Sequence, residues 1–221
     1  MKLLNFHFYA FFILISMFSS CVSLVNLNYE TAQILEKGKV SGTASISQDG
    51  ERSQTLKDTV WSTRELSYGF RFGVGIGEKT NISVRYENTF LKEGVRQNFI
   101  EAQFKWALGR DPKNSKHPVR LTLGLPAQYY FYGDYHAVSF NPRLYVGLFN
   151  FNPYFRLTLI PKLHLIMDIS TPELKFNPID YPGFSLNLAF SNNFDKWAII
   201  PEIGFLSETD ISFGCGFVLK P

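Results

Sequence analysis

From Leu66 to Ile76 the chain alternates strictly, with Leu66, Tyr68, Phe70, Phe72, Val74 and Ile76 interleaved with Ser67, Gly69, Arg71, Gly73 and Gly75. After a Gly77-Glu78-Lys79-Thr80 turn, Ile82, Val84 and Tyr86 interleave with Ser83, Arg85 and Glu87. Successive strand side chains point to opposite faces, so this period predicts a hairpin with one apolar face and one small or charged face.

The same pattern recurs to the end of the chain and gives ten strand candidates in all. The others are 39–48, 97–108, 119–132, 138–148, 155–165, 182–190, 197–206 and 211–219. Turn chemistry separates them at 109–118, at Gly133-Asp134-Tyr135-His136 and at 150–153, and the polar stretch 49–60 reads as a loop. An even count is what a closed up-and-down barrel requires when both ends lie on one side. Trp106, Phe155, Phe190, Trp197 and Phe217 then fall near one rim, and Phe90, Phe131 and Phe205 near the other, as two lipid interfaces favour. Pro126, Pro161 and Pro201 fall inside predicted strands, where each removes a ladder donor; they predict bulges or rim positions, with a slip of one residue beyond them.

Composition agrees with an all-β, antiparallel transmembrane barrel. The 221 residues are 16% aromatic, rich in strand formers, and mean hydropathy is −0.05. No run after residue 25 is long and apolar enough for a spanning helix, but transmembrane strands escape that test because half their residues can be polar. A net charge of +3 without a basic cluster argues against nucleic acid. Residues 1–20 read as an export signal, with Lys2 before the apolar Phe8–Phe18 stretch. Phe18-Ser19-Ser20-Cys21 resembles the lipobox of bacterial lipoproteins, in the looser form found in spirochaetes, with Phe18 replacing the usual Leu. That resemblance implies acylation, such as by palmitate, at Cys21; ordinary cleavage after Ser23 is the alternative.

Residues 21–37 then form a tether ahead of a barrel domain at 38–221. Within it, Tyr29–Lys37 predicts about two turns of helix stopped by Gly38, read as a spacer on the periplasmic side, with a helix plugging the lumen as the alternative. Glu30 to Gly38 resembles the lead-in to the first strand of small bacterial outer-membrane barrels. Ser212-Phe213-Gly214-Cys215-Gly216-Phe217-Val218-Leu219 resembles the β-signal of last strands, with Ser212, Gly214, Phe217 and Leu219 at its defining positions. The resemblances imply a bacterial outer-membrane location, a periplasmic N-terminus, contact with outer-membrane lipid, and recognition by barrel-assembly machinery.

On this phase the inner face carries Arg71, Arg85, Lys105, Arg120, Arg143, Arg156 and Lys162 against Glu87, Glu101 and Glu202. A basic lumen prefers anions if water passes, but a barrel of eight to ten strands is largely filled by side chains, and its charges pair into a structural network. Catalysis finds little support. Asp134 and His136 resemble the Asp-x-His element of omptin proteases at two positions only, without partner aspartates. His136 is followed by Ala137, unlike the His-x-Ser pair of lipid A deacylases. His7, His117 and His164 stand apart, Cys215 falls on the apolar face, and a zinc site lacks ligands, so no metal or cofactor is expected. The reading is a non-enzymatic, porin-like barrel with a structural, interaction or narrow anion-preferring channel role. Alternatives are a soluble lipocalin-like lipid carrier, whose apolar face would point inward, and an outer-membrane hydrolase.

Overall fold

The computed structural model describes residues 27–54, 59–90, 96–108, 119–169, 181–205 and 210–221. The export signal and Cys21 lie outside the described residues. The strands are β1 (Val40–Gln54), β2 (Thr59–Gly75), β3 (Thr80–Phe90), β4 (Arg96–Leu108), β5 (Val119–Tyr132), β6 (Tyr135–Phe140), β7 (Arg143–Asn152), β8 (Phe155–Asp168), β9 (Tyr181–Phe190), β10 (Trp197–Phe205) and β11 (Asp210–Leu219). All pairings are antiparallel and join sequence neighbours except around β6 and β7, and β1 closes on β11 from Gly42 opposite Leu219 to Glu51 opposite Asp210. β6 and β7 both lie between β5 and β8, end to end, so the wall is a closed barrel of ten strands with one of them interrupted.

That interruption has a chemical cause. Pro142 has no N–H to give the ladder, and Asn141-Pro142 separates the two halves. The partners on either side keep step: Ala127 faces Phe140 before the break and Gly124 faces Arg143 after it. The expected slip beyond the prolines is therefore not found. Rungs are missing beside Pro161 and Pro201, yet the register on both sides of each is unchanged. Register shifts come elsewhere, between Asp49 and Gly50 and between Leu148 and Asn152. The stretch 49–60 is also corrected: β1 runs to Gln54 and β2 starts at Thr59, because Thr59-Val60-Trp61 supplies strand formers that the polar residues around it mask.

The period of two sets the polarity of the wall. Phe70 and Phe72 point outward and are 63% and 60% exposed, whereas their neighbour Arg71 is 6% exposed inside. Outward apolar side chains follow on every side, among them Val84, Phe104, Leu163 and Phe213. A soluble lipid carrier needs the opposite arrangement, so the lipocalin-like alternative does not fit. Aromatic pairs mark both rims: Trp197–Phe217 and Phe155–Phe190 at the end holding both the start of β1 and the end of β11, and Tyr68–Phe90 and Phe184–Phe205 at the other. We call these the near and far mouths.

No helix forms over Tyr29–Lys37. The chain instead makes a tight turn, Lys39 N–H to Glu36 O at 2.9 Å, with Gly38 at φ 77°, the left-handed value that its missing Cβ permits. Gly38 and Lys39 are hydrogen-bonded to Gly75, which fastens this turn at the near mouth. A Cβ on Gly75 would lie 2.0 Å from the Glu36 carbonyl oxygen. Gly75→Ala is expected to cost about 1–3 kcal/mol by overpacking against backbone that cannot yield. Gly42→Ala, whose Cβ meets nothing within 4 Å, is expected to change stability by less than about 0.5 kcal/mol. Unfolding midpoints in detergent, read from gel mobility after heating, compare the two; equal midpoints would remove Gly75 as the seat of the turn.

Candidate functional site in the lumen

From the near-mouth turn, Leu35 back to Leu27 runs up the inside of the barrel as irregular extended chain. The expected spacer outside the mouth is thus corrected: this segment fills the lumen. Gln33 lies at rim level, accepting from Arg156 at 2.7 Å and Lys220 at 3.0 Å. Ala32 and Thr31 lie one level deeper, and Leu27 lies beside Arg85, midway along β3. A helix over these residues would satisfy its own backbone. Here the wall's side chains do it instead.

Six backbone groups of the segment are met this way. Glu202 accepts from the N–H groups of Asn28 and Tyr29 at 2.9 and 2.6 Å. Arg85 donates to Leu27 O at 2.6 Å, Asn187 to Glu30 O at 2.5 Å, Lys105 to Thr31 O at 2.9 Å, and Thr122 to Ala32 O at 2.6 Å. Tyr29 adopts φ 53°, which costs a residue with a Cβ about 1 kcal/mol or more, and the paired bonds to Glu202 hold it there. Its ring lies against Gly214 and Gly216 on β11. A Cβ on either would come within 2.1 and 2.6 Å of Tyr29 atoms, so only glycine leaves room. The Tyr29 hydroxyl donates to Ile46 O at 3.2 Å, and burial, reinforced by Glu87, raises its pKa well above the ordinary value.

Glu30 carries the segment's charge into a ladder of ion pairs. Arg71 bridges Glu30 at 3.1 Å and Glu101 at 2.9 Å, Arg143 meets Glu101 at 2.6 Å, and Lys105 approaches Glu30 at 3.6 Å. Tyr145 donates to Glu30 at 3.0 Å, and Gln128 donates to Glu101 at 2.5 Å. Arg85 pairs with Glu87 and lies over the rings of Tyr29 and Phe99. Burial opposes ionisation of Glu30, but Arg71, then Lys105 and Arg143, outweigh it and hold its carboxyl below the ordinary value. At the near mouth Lys220 donates to Phe194 O at 2.8 Å. Burial, with Arg156 beside it, pushes its ammonium down to about 8.

The sequence-predicted charges divide accordingly. Arg71, Arg85, Glu87, Glu101, Lys105 and Arg143 form the buried network, and Glu202 serves the segment's amides. Lys162 is buried close to His164, and Arg120 and Arg156 are half-buried toward the near mouth. His164 is 1% exposed, and neither ring nitrogen has a hydrogen-bond partner among the described residues. Ser212 and Gly214 face inward, while Phe217 and Leu219 face outward. At the far mouth His136 Nδ1 is bonded to the Tyr129 hydroxyl at 2.7 Å and its ring stacks on Tyr129; Asp134 is exposed on the turn. Sequence reasoning missed Asn28, Tyr29, Glu30, Gln103, Gln128 and Tyr145. The signal for Tyr29 was available in Gly214-x-Gly216, two glycines on one face of a strand that leave a bed for something else.

No protein-family model matches the chain, and no curated protein matches it. Solved structures it resembles include an outer-membrane channel from Pseudomonas putida F1, described as COG4313, at 9% identity and a TM-score of 0.49, covering 88% of this chain and 100% of that one. The translocator domain of the autotransporter NalP from Neisseria meningitidis is similar at 9% identity and a TM-score of 0.43, covering 82% and 88%. The NanC porin is similar at 9% identity and a TM-score of 0.42, covering 83% and 100%. At these values the likeness is one of barrel shape and says nothing of role.

Two predictions come from the segment. Glu202→Ala leaves the buried amides of Asn28 and Tyr29 without an acceptor, and is expected to lower stability by roughly 2–4 kcal/mol and to expose the segment to protease. An unchanged cleavage rate would mean that Glu202 does not hold it. Because the folded-state pKa of Glu30 is depressed, its stabilisation is complete above the ordinary value of 4.5 and is lost as pH falls through the lower folded value. The segment is therefore expected to stay protected at pH 5 and to loosen only below 4.5. Glu30→Gln should lack that acid step and be more weakly held at neutral pH; an identical pH profile would exclude Glu30 as its source.

Proposed function

We propose that this chain is a non-enzymatic β-barrel of a bacterial outer membrane, sealed at rest by its own N-terminal segment, with a structural or interaction role. One observation carries the reading: the polarity of the wall is inverted relative to a water-soluble protein. Phe70 and Phe72 are more than half exposed outside while Glu101 and Arg85 are 0% and 2% exposed inside. In water an apolar band running round the whole barrel would far exceed the few hundred Å² that soluble monomers tolerate, whereas lipid covers it without cost. Closure by β1 and β11 leaves no strand edge unpaired in lipid, and the aromatic rims match two interfaces.

The finer parts of the reading rest on sequence. The start of β1 and the end of β11 both lie at the near mouth, and the export-signal reading of residues 1–20 favours its being periplasmic; the last-strand pattern Ser212, Gly214, Phe217, Leu219 supports recognition by assembly machinery. Acylation at Cys21 rests on the resemblance of Phe18-Ser19-Ser20-Cys21 to a lipobox. A second reading, a narrow anion-preferring channel, draws support from the cation excess on the inner face.

Cell fractionation with heat-modifiable gel mobility tests location: the protein is expected in the outer-membrane fraction with a heat-dependent shift, and a soluble product without one would end the membrane reading. Planar-bilayer recording tests the seal. Wild type is expected to pass no steady current. A steady ohmic current would replace the sealed reading with the channel, and Arg143→Glu should then reduce its anion preference.

A further inference from the structure

Leu27–Gln33 is bound the way a ligand is bound. Among the described residues, no backbone-to-backbone hydrogen bond joins Leu27–Leu35 to the wall, and the ten-strand ladder closes without it. The wall reaches the segment with side chains instead, and those that meet its backbone come from five strands: β3, β4, β5, β9 and β10. We propose that the lumen is a peptide-binding site, at present occupied in cis, and that it accepts an extended peptide in trans with an aromatic residue followed directly by an acid.

Three features define that ligand. Contacts to backbone atoms select an extended chain whatever its side chains. The bed of Gly214 and Gly216 with the Ile46 carbonyl at its end admits a tyrosine ring. The acid is demanded by charge: without Glu30 the buried wall sets Arg71, Arg85, Lys105, Arg143 and Lys162 against Glu87, Glu101 and Glu202. Arg71 and Lys105 converge on Glu30 from two strands, as they would on the carboxylate of an incoming peptide. A cavity of about 50 Å³ beside Tyr29, Glu30 and Lys105 leaves slack along the near half of the groove, so the occupant is not locked in by packing on every side. This inference concerns the lumen alone and does not depend on where the barrel resides.

The test uses the full chain in detergent micelles, with a specific protease site inserted between Glu36 and Lys37 in the exposed near-mouth turn. After cutting, the fragment is expected to remain bound until a synthetic peptide of residues 27–35, carrying a fluorophore on its C-terminus, is added in excess and replaces it, read by anisotropy. The peptide with Glu30→Ala is expected to bind at least tenfold more weakly, a scrambled peptide not at all, and the uncut chain should bind none of them. Heat-modifiable mobility is followed throughout. Loss of that mobility on cutting or on exchange would make the segment a structural part of the core and overturn the proposal. So would absence of exchange over days, equal binding of the scrambled peptide, or equal binding to the uncut chain. Fractionation can fail while exchange succeeds, so the two readings are separable.

Discussion

Arg71 lies between two carboxylates, Glu30 and Glu101, and neither belongs to its own strand. Glu101 is shared in turn with Arg143 on β7, with only β5 between their strands. This chain of ion pairs is the constraint on which the interior depends, because a strand wall with an apolar outside has only its inside left for charge. Alternation places one inward residue in every two, and here many of those residues are basic. A buried cation without a partner costs several kcal/mol, so the fold needs acids at matching depths. Glu87, Glu101 and Glu202 supply three from the wall, and one of them is taken up by backbone amides. The remaining acid is Glu30, and it can reach Arg71 and Lys105 only if the segment ahead of β1 enters the lumen.

The same logic explains why the segment is extended. A helix over residues 29–37 would spend its N–H and C=O groups on itself and would withdraw the amides that Glu202 accepts from and the carbonyls that Asn187 and Thr122 donate to. Extended chain exposes a polar backbone along its length, and a polar lumen can satisfy it. Tyr29 in the left-handed region is the local cost of bending that chain onto β11. Gly214 and Gly216 reduce it by removing the side chains the ring would strike. Glycines on a last strand thus serve packing here, whatever they also offer to an assembly factor.

The wall was legible in the sequence because period two is a local property. Phe70 against Arg71, or Leu163 against Lys162, states the face of each residue without knowledge of its neighbours in space, and the phase persists through Pro126, Pro161 and Pro201. The extents of β1 and β2 were less so, since pairing at Trp61 opposite Arg52 depends on a bulge that no local pattern announces. The lumen was half legible. Arg71, Glu101 and Arg143 could be placed on one face, but which carboxylate each guanidinium meets depends on the register of strands far apart in sequence. The role of residues 27–35 could not be read at all from propensity, because Glu-Thr-Ala-Gln-Ile-Leu-Glu-Lys is a good helix sequence in isolation. Its conformation is decided by hydrogen-bonding partners that lie between 17 and 187 residues away, a tertiary override of local preference.

Buried ion pairs of this kind add little net stability over an apolar filling, since desolvation offsets most of the attraction. Their effect is on uniqueness. A lumen filled with leucine would accept many packings and would exclude water in all of them, whereas Arg71 between two carboxylates and Glu202 under two amides admit one position of the segment along the axis. Shifting the chain by one residue would move Glu30 away from Lys105 and carry Tyr29 off its glycine bed at the same time. The network therefore fixes depth, as a register device does in a coiled coil. A filling chosen for position rather than for adhesion is one that a competitor with the same pattern of groups can replace, and one that a chain lacking the acid cannot.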